Sequence, residues 1–310
     1  MHDILLSAPT PITDLGAQDK RLFPLDRWQA ALPVLSRQFS QQAPFPHVHL
    51  TEFFDADTMA TLVDALPSTV SEEWVHWKHY NENKLGLNKR RLLPTFIRSV
   101  IDELNGPPFV RWLVELTGIP DLIADPDLEG GGLHQAGPGG FLNVHADFAM
   151  HHHHKNWRRR VNVIVYLNRT WDIAWGGAIE LWDKRMQRCV VRIPPLSNHA
   201  VIFNTDDDSY HGFPDPITCP PGVSRRSLAL YYYTLETDTR IVPRSTNYQS
   251  RPGDGAWKKV LIWADKQAVG LYSRAKSRFG LSDDLASNAL RLLHGGTSEP
   301  KDRVESEPDR

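Results

Sequence analysis

His145 and Asp147 stand two residues apart in the segment HADFAMHHHHKNWRRRVNVIVYLN, residues 145–168. In an extended strand, residues i and i+2 project from one face. An imidazole and a carboxylate at this spacing can therefore converge on one ion. Two histidines and a carboxylate on one face of iron leave coordination positions open for other ligands. The third protein ligand has to come from elsewhere in the chain. His211, in DDDSYHGFP, is the best-placed candidate. It follows the strand-like run NHAVIFNT, after which a barrel can return the chain to the same mouth.

His151–His154 offer a rival set. In an extended segment His151 and His153 share one face, and His152 and His154 the other. Either pair can ligate a metal. Neither has a carboxylate at i+2, and Lys155, Arg158, Arg159 and Arg160 place positive charge behind them. We expect the run to form a mobile loop near the mouth of the site. The three arginines read as a solvated strand edge.

A second cluster, Ser224-Arg225-Arg226-Ser227, opens the run SLALYYYT. In a strand Arg225 and Ser227 share a face. A guanidinium fork binds a carboxylate through two bonds, and a hydroxyl two residues on can add a third. Arg226 is the alternative anchor. Alternation lets only one of the two arginines face inward, and the spacing to Ser227 favours Arg225. A dicarboxylate could then chelate the metal with one end and meet Arg225 with the other.

These groups need a framework. Residues 1–24 read as an irregular arm, and RWQAALPVLSRQF as a short helix interrupted by Pro33. HVHLTEFF, 47–54, alternates like a strand. Asp55 then caps a helix ended by Pro67. LLPTFIRSVIDELN and PPFVRWLVELTG have apolar residues at helical spacing. Residues 1–128 thus read as a mainly helical buttress within the same domain. From 129 to 235 short strands alternate with turns: VNVIVYLN (161–168), GAIELWD (177–183), RCVVRI (188–193), NHAVIFNT and SLALYYYT. That pattern predicts a mainly β sandwich or barrel. Residues 236–294 return to helical spacing, and 295–310 are polar, charged and expected to be disordered.

Composition narrows the class. The 310 residues are 41% hydrophobic and 23% charged, as in an ordinary globular protein. A net charge of −2 provides no global field for nucleic acid or acidic membrane. Two cysteines, Cys189 and Cys219, are too few for a disulfide framework. With no basic leader and no long apolar run, the expected location is the cytoplasm, and no membrane span is expected.

Taken in order, HAD (145–147), VIVYLN (163–168), GGAIELW (176–182), AVIFNT (200–205), YHGFP (210–214) and RRSLALYYY (225–233) resemble one family. It is the 2-oxoglutarate and Fe(II)-dependent oxygenases, in the prolyl 4-hydroxylase-like branch. The resemblance covers about residues 130 to 235. It implies a double-stranded β-helix, a jelly-roll or cupin-like barrel, here buttressed by N- and C-terminal α-helices. It implies His145, Asp147 and His211 as iron ligands. Arg225 corresponds to the arginine that binds the far carboxylate of 2-oxoglutarate, assisted by Ser227 and Tyr166. Gln135, ten residues before His145, occupies a position whose side chain can meet the cosubstrate.

The implied cofactors are Fe(II), 2-oxoglutarate and O2, with ascorbate as a candidate reductant. Halogenating relatives replace the carboxylate ligand by a small residue, so Asp147 favours hydroxylation. The implied activity is hydroxylation of an unactivated C–H bond, with succinate and CO2 as co-products. The substrate would be a prolyl residue in a peptide. The alternative is a small molecule such as a free amino acid, sugar or natural product. A different class, a non-catalytic cupin-like metal-binding or sensor module, has no need of Arg225. The oligomeric expectation is a monomer or homodimer, without nucleic-acid or membrane partners.

Overall fold

The computed structural model describes residues 21–237 and 244–279. Most of the expected N-terminal arm, the helical run 283–293 and the tail 295–310 lie outside them. The described chain runs α1 (Leu25–Gln41), β1 (His47–Leu50), α2 (Ala56–Asp64), β2 (Val75–His79), β3 (Glu82–Leu87), α3 (Thr95–Asn105), α4 (Pro107–Thr117), β4 (Ile123–Ala124), β5 (Gly132–Ala136), β6 (Phe141–Ala146) and β7 (Trp157–Tyr166). It continues with β8 (Ile179–Trp182), β9 (Cys189–Ile193), β10 (Ala200–Asn204), β11 (His211–Phe213), β12 (Arg225–Leu235), β13 (Asn247–Tyr248) and α5 (Ala256–Phe279).

Two antiparallel layers form the double-stranded β-helix. One is ordered β1-β10-β7-β12-β5, and the other β6-β11-β8-β9. β3 joins them by pairing with both β5 and β6. Alternation along two long strands explains the split between core and site. In β7, Val161, Val163 and Val165 are fully buried beneath the helices, packed with Phe109, Trp112 and Leu113 of α4. Asn162, Ile164 and Tyr166 take the opposite, inward face. In β12, Leu228, Leu230 and Tyr232 join the helical core. Arg225, Ser227, Ala229 and Tyr231 face inward and line a cavity. The apolar layer outside thus fixes which residues of the same strands point into the barrel.

Several sequence expectations change. Pro33 does not interrupt α1, which runs unbroken across it. The lost hydrogen bond falls at the carbonyl of exposed Gln29, while burial of Trp28, Leu32 and Phe39 anchors the helix. The expected strand 47–54 ends at Leu50. The N-terminal part is less helical than expected, because β2 and β3 form a hairpin there. Its inward residues, Trp77, His79, Glu82 and Lys84, line the cavity. A polar lining shows no apolar alternation, so these residues carry no strand signal in the sequence. Among the described residues, no helix is long and apolar enough to cross a membrane.

α5 is tied to the hairpin by buried charge. His79 donates from Nδ1 to Asp265 at 2.7 Å and from Nε2 to Glu82 at 2.8 Å. Burial disfavours the imidazolium, but Glu82 and Asp265 outweigh it and raise the His79 pKa to about 9. The raised value means that this stabilisation is complete below the unfolded pKa near 6.5. It is lost as pH rises through 9. Wild-type protein should therefore lose stability, on the order of 3 kcal/mol, between pH 6.5 and 9.5. Denaturant midpoints of His79→Gln should lack that slope; parallel slopes for the two proteins would refute the assignment.

Candidate active site

β6 and β11 are neighbours, and the register pairs His145 directly with His211. Their ring centroids are 4.5 Å apart. Backbone carbonyls set both tautomers. His145 Nδ1 donates to Asn143 O and His211 Nδ1 to Ser209 O, each at 2.9 Å. In a neutral ring this leaves Nε2 as a lone-pair acceptor. The two Nε2 atoms lie 3.5 and 3.6 Å from the Asp147 carboxylate oxygens. Burial lowers the His211 pKa to about 4 and keeps its ring neutral. The close approach of β11 to β6 needs Gly212, because a β-carbon there would lie 2.8 Å from Leu142 O.

Asp147 is held by residues that the sequence reading assigned to a solvated edge. Arg159 is 2% exposed, and its Nη2 lies 3.1 Å from Asp147 Oδ2. Tyr232 pairs with Val161 and Tyr233 with Arg159, so β7 carries an extra residue, Arg160, at this point. Such a bulge re-aims the side chains beyond it, and it turns Arg159 inward. The guanidinium lies over the Tyr231 ring at 3.4 Å and the Phe148 ring at 4.7 Å. Asn162 completes the clamp. It accepts from Arg159 Nε at 2.9 Å and donates to Asp147 Oδ2 at 2.8 Å. Burial would raise the Asp147 pKa, but the Arg159 guanidinium beside it holds it well below the ordinary carboxylate range. One signal for this clamp is visible in the sequence: Asn162 is a polar residue inside an apolar strand.

The donor set therefore fits a divalent cation. It comprises two imidazole nitrogens and one ionised carboxylate, all within 4.8 Å of one another.

Arg225 lies farther along the same cavity, which encloses about 240 Å³. It faces inward and is 5% exposed. Its Nε donates to Gly177 O at 2.8 Å and its Nη2 to the Tyr166 hydroxyl at 3.2 Å. Its other N–H donors have no acceptor among the described residues. No carboxylate among them pairs with it either. Burial lowers its pKa, as expected for an uncompensated cation. An anion is what this site lacks, and Ser227 is beside it on the cavity wall. Arg226 faces the other way, with its Nε 3.2 Å from Ser224 Oγ.

Gln135 also lines this cavity, but its amide is already engaged. It pairs in register with Arg226 rather than Arg225. Its amide donates to Thr69 O at 3.0 Å and accepts from the Ser224 hydroxyl at 3.2 Å. The inward position belongs to His134, which pairs with Ser227. Counting back from His145 could not resolve this one-residue difference, which moves a side chain to the other face.

The run His151–His154 is tied down by acids of the β4–β5 connection rather than free as a loop. His151 meets Asp125 at 3.2 Å, and His154 meets Asp127 at 3.2 Å. His152 and His153 lie 2.9 and 3.3 Å from Glu129. Asp127, His151 and His154 are close enough to suggest a second metal site. The bonding of His151 argues against it. Its Nδ1 accepts from the backbone N–H groups of His153 and His154. Its Nε2 then carries the proton and donates to Asp125. Neither nitrogen keeps a lone pair for an ion.

Residues 131–233 match the family described as the 2OG-Fe(II) oxygenase superfamily. The chain carries a 2OG-Fe(II) oxygenase domain. It is accordingly a 2-oxoglutarate-dependent dioxygenase, with Fe(II) and 2-oxoglutarate as its cofactors.

No curated protein matches the chain in sequence. Among solved structures, it is similar to a Pseudomonas putida prolyl-4-hydroxylase at 15% identity and a TM-score of 0.43, covering 65% of this chain and 100% of that one. A Trichoplax adhaerens prolyl hydroxylase, in complex with a hypoxia inducible factor peptide fragment, gives 15% and 0.48, covering 67% and 91%. HygX from Streptomyces hygroscopicus, with nickel, 2-oxoglutarate and hygromycin B bound, gives 11% and 0.41, covering 69% and 96%.

Proposed function

We propose that this oxygenase hydroxylates an unactivated C–H bond of its substrate, consuming 2-oxoglutarate and O2 and releasing succinate and CO2. His145, Asp147 and His211 hold Fe(II). Arg225, with Tyr166 and Ser227, binds the far carboxylate of 2-oxoglutarate. The observation that carries this reading is the buried Arg225 guanidinium, which faces the same cavity as the triad and meets no carboxylate among the described residues.

The bound metal and cosubstrate supply the oxidising chemistry, and the protein supplies placement and water exclusion. The backbone carbonyls of Asn143 and Ser209 keep the two imidazoles in the ligating tautomer. Arg159 and Asn162 both occupy Oδ2 of Asp147, which leaves Oδ1 as the freer oxygen for a metal. A binding module without turnover would gain nothing from an uncompensated cation along the cavity wall.

The test is an anaerobic titration of the metal-free protein with Fe(II) and then 2-oxoglutarate. Chelation of iron by the keto acid should give a visible charge-transfer band, absent in Asp147→Ala. Folded wild-type protein that gives no band would replace this reading with a metal-binding module.

A further inference from the structure

The inward face of the β2–β3 hairpin lies outside the family-matched segment, and the reading above leaves Lys84 and Trp77 unused. Register aligns Trp77 with Lys84 and His79 with Glu82, so all four share one face. Trp77 reaches into the cavity because of Gly86: a β-carbon there would meet the indole at 2.0 Å. Lys84 Nζ lies 5.3 Å from the Trp77 ring centroid and 3.3 Å from Glu82 Oε2. Glu82 is shared with His79, so the ammonium, with three donors, keeps hydrogen-bonding capacity for a ligand. Asp265 fixes His79 from behind, and the wall is therefore preorganised.

His134 stands next to this group, edge-on to Trp77 at 5.8 Å. Its Nε2 is buried and has no hydrogen-bond partner among the described residues. Burial, followed by the nearby Lys84 charge, lowers its pKa to about 3, so the ring is neutral. The wall thus sets a cationic donor beside a neutral imidazole, with an indole behind them. An unpartnered buried polar atom is costly unless a ligand satisfies it.

We propose that the substrate is a small carboxylic acid bearing an amino or hydroxyl group. Lys84 holds its carboxylate, and the amine or hydroxyl donates to His134 Nε2. A prolyl residue within a peptide presents amides instead and offers Lys84 no anion. The proposal rests on the oxygenase reading above and chooses the substrate class for it.

The test uses full-length protein loaded anaerobically with Fe(II) and 2-oxoglutarate. Free L-amino acids, small hydroxy acids, the primary amides of both, and a proline-rich decapeptide are titrated in by calorimetry. At least one free acid should bind, and its amide about tenfold more weakly or worse. Lys84→Met should erase that difference, Lys84→Arg should largely keep it, and neither should change the 2-oxoglutarate Kd. The proposal is overturned if no free acid binds, if acid and amide bind alike, or if only the peptide binds. It is also overturned if Lys84→Met weakens 2-oxoglutarate itself, which would put Lys84 on the cosubstrate. The charge-transfer band separates the two levels. With the band present, any of these outcomes removes the substrate class alone. With the band absent from folded protein, the oxygenase reading fails and this proposal falls with it.

Discussion

Arg225→Ala should raise the Kd for 2-oxoglutarate by about 150- to 5000-fold while leaving one Fe(II) bound per chain. The magnitude follows from removing the charged partner of a buried carboxylate, which costs about 3–5 kcal/mol. The guanidinium is well prepared for such a partner. It lies 4.2 Å over the Phe213 ring and 4.9 Å over the Tyr166 ring, and its Nε is fixed by Gly177 O. The cofactor-free variant should not be destabilised in proportion, because removing an unpaired buried cation relieves a desolvation cost. Arg226→Ala is the control. Its side chain faces away from the cavity, so the Kd should stay within about threefold. Calorimetric titration of both variants decides the matter. Equal effects would mean that the anchor has been misassigned.

Asp147→Ala should show two separable defects. Iron affinity should fall by about 100-fold or more, since a carboxylate that touches the metal matters at least as much as the groups that orient it. The metal-free protein should also lose about 3–5 kcal/mol of stability, because Arg159 would be left buried without its counter-ion. The double variant Asp147→Ala/Arg159→Leu should recover much of that stability and none of the iron affinity. Denaturant unfolding of the metal-free proteins and Fe(II) titration read the two effects independently. If the double variant is no more stable than Asp147→Ala, the Arg159 ion pair is not the cause. The same pair sets an acid limit. The folded-state pKa of Asp147 lies well below its ordinary value, so its contribution is present above the usual carboxylate range. It is lost as pH falls through the lowered value.

Much of the site can be read from residue order. The HxD spacing survives into three dimensions because it depends only on local chain geometry. Likewise, Arg225 and Ser227 face one way because strand alternation has a period of two. The valines of β7 and the leucines of β12 mark the face that packs on helices, and that leaves the opposite face for chemistry. The long-range partner His211 could be named because the strands between it and His145 are regular enough to count.

Other parts depend on contacts that one-dimensional patterns do not carry. The bulge at Arg160 reverses which arginine faces inward, and nothing in RRRV distinguishes Arg159 from its neighbours. Gln135 and His134 differ by one position, and only pairing with β12 decides between them. The β2–β3 hairpin lines a polar cavity, so its sequence looks like a solvent-exposed segment. The four histidines look like a metal site until their acidic partners, some 25 residues earlier in the chain, are brought alongside. The sequence by itself determined the His145–Asp147 pair, the shared inward face of Arg225 and Ser227 and the barrel, because these rest on local spacing and alternation. The tertiary structure alone decided what clamps Asp147, which face His134 takes and what closes the cavity, because bulges and cross-strand register set side-chain direction.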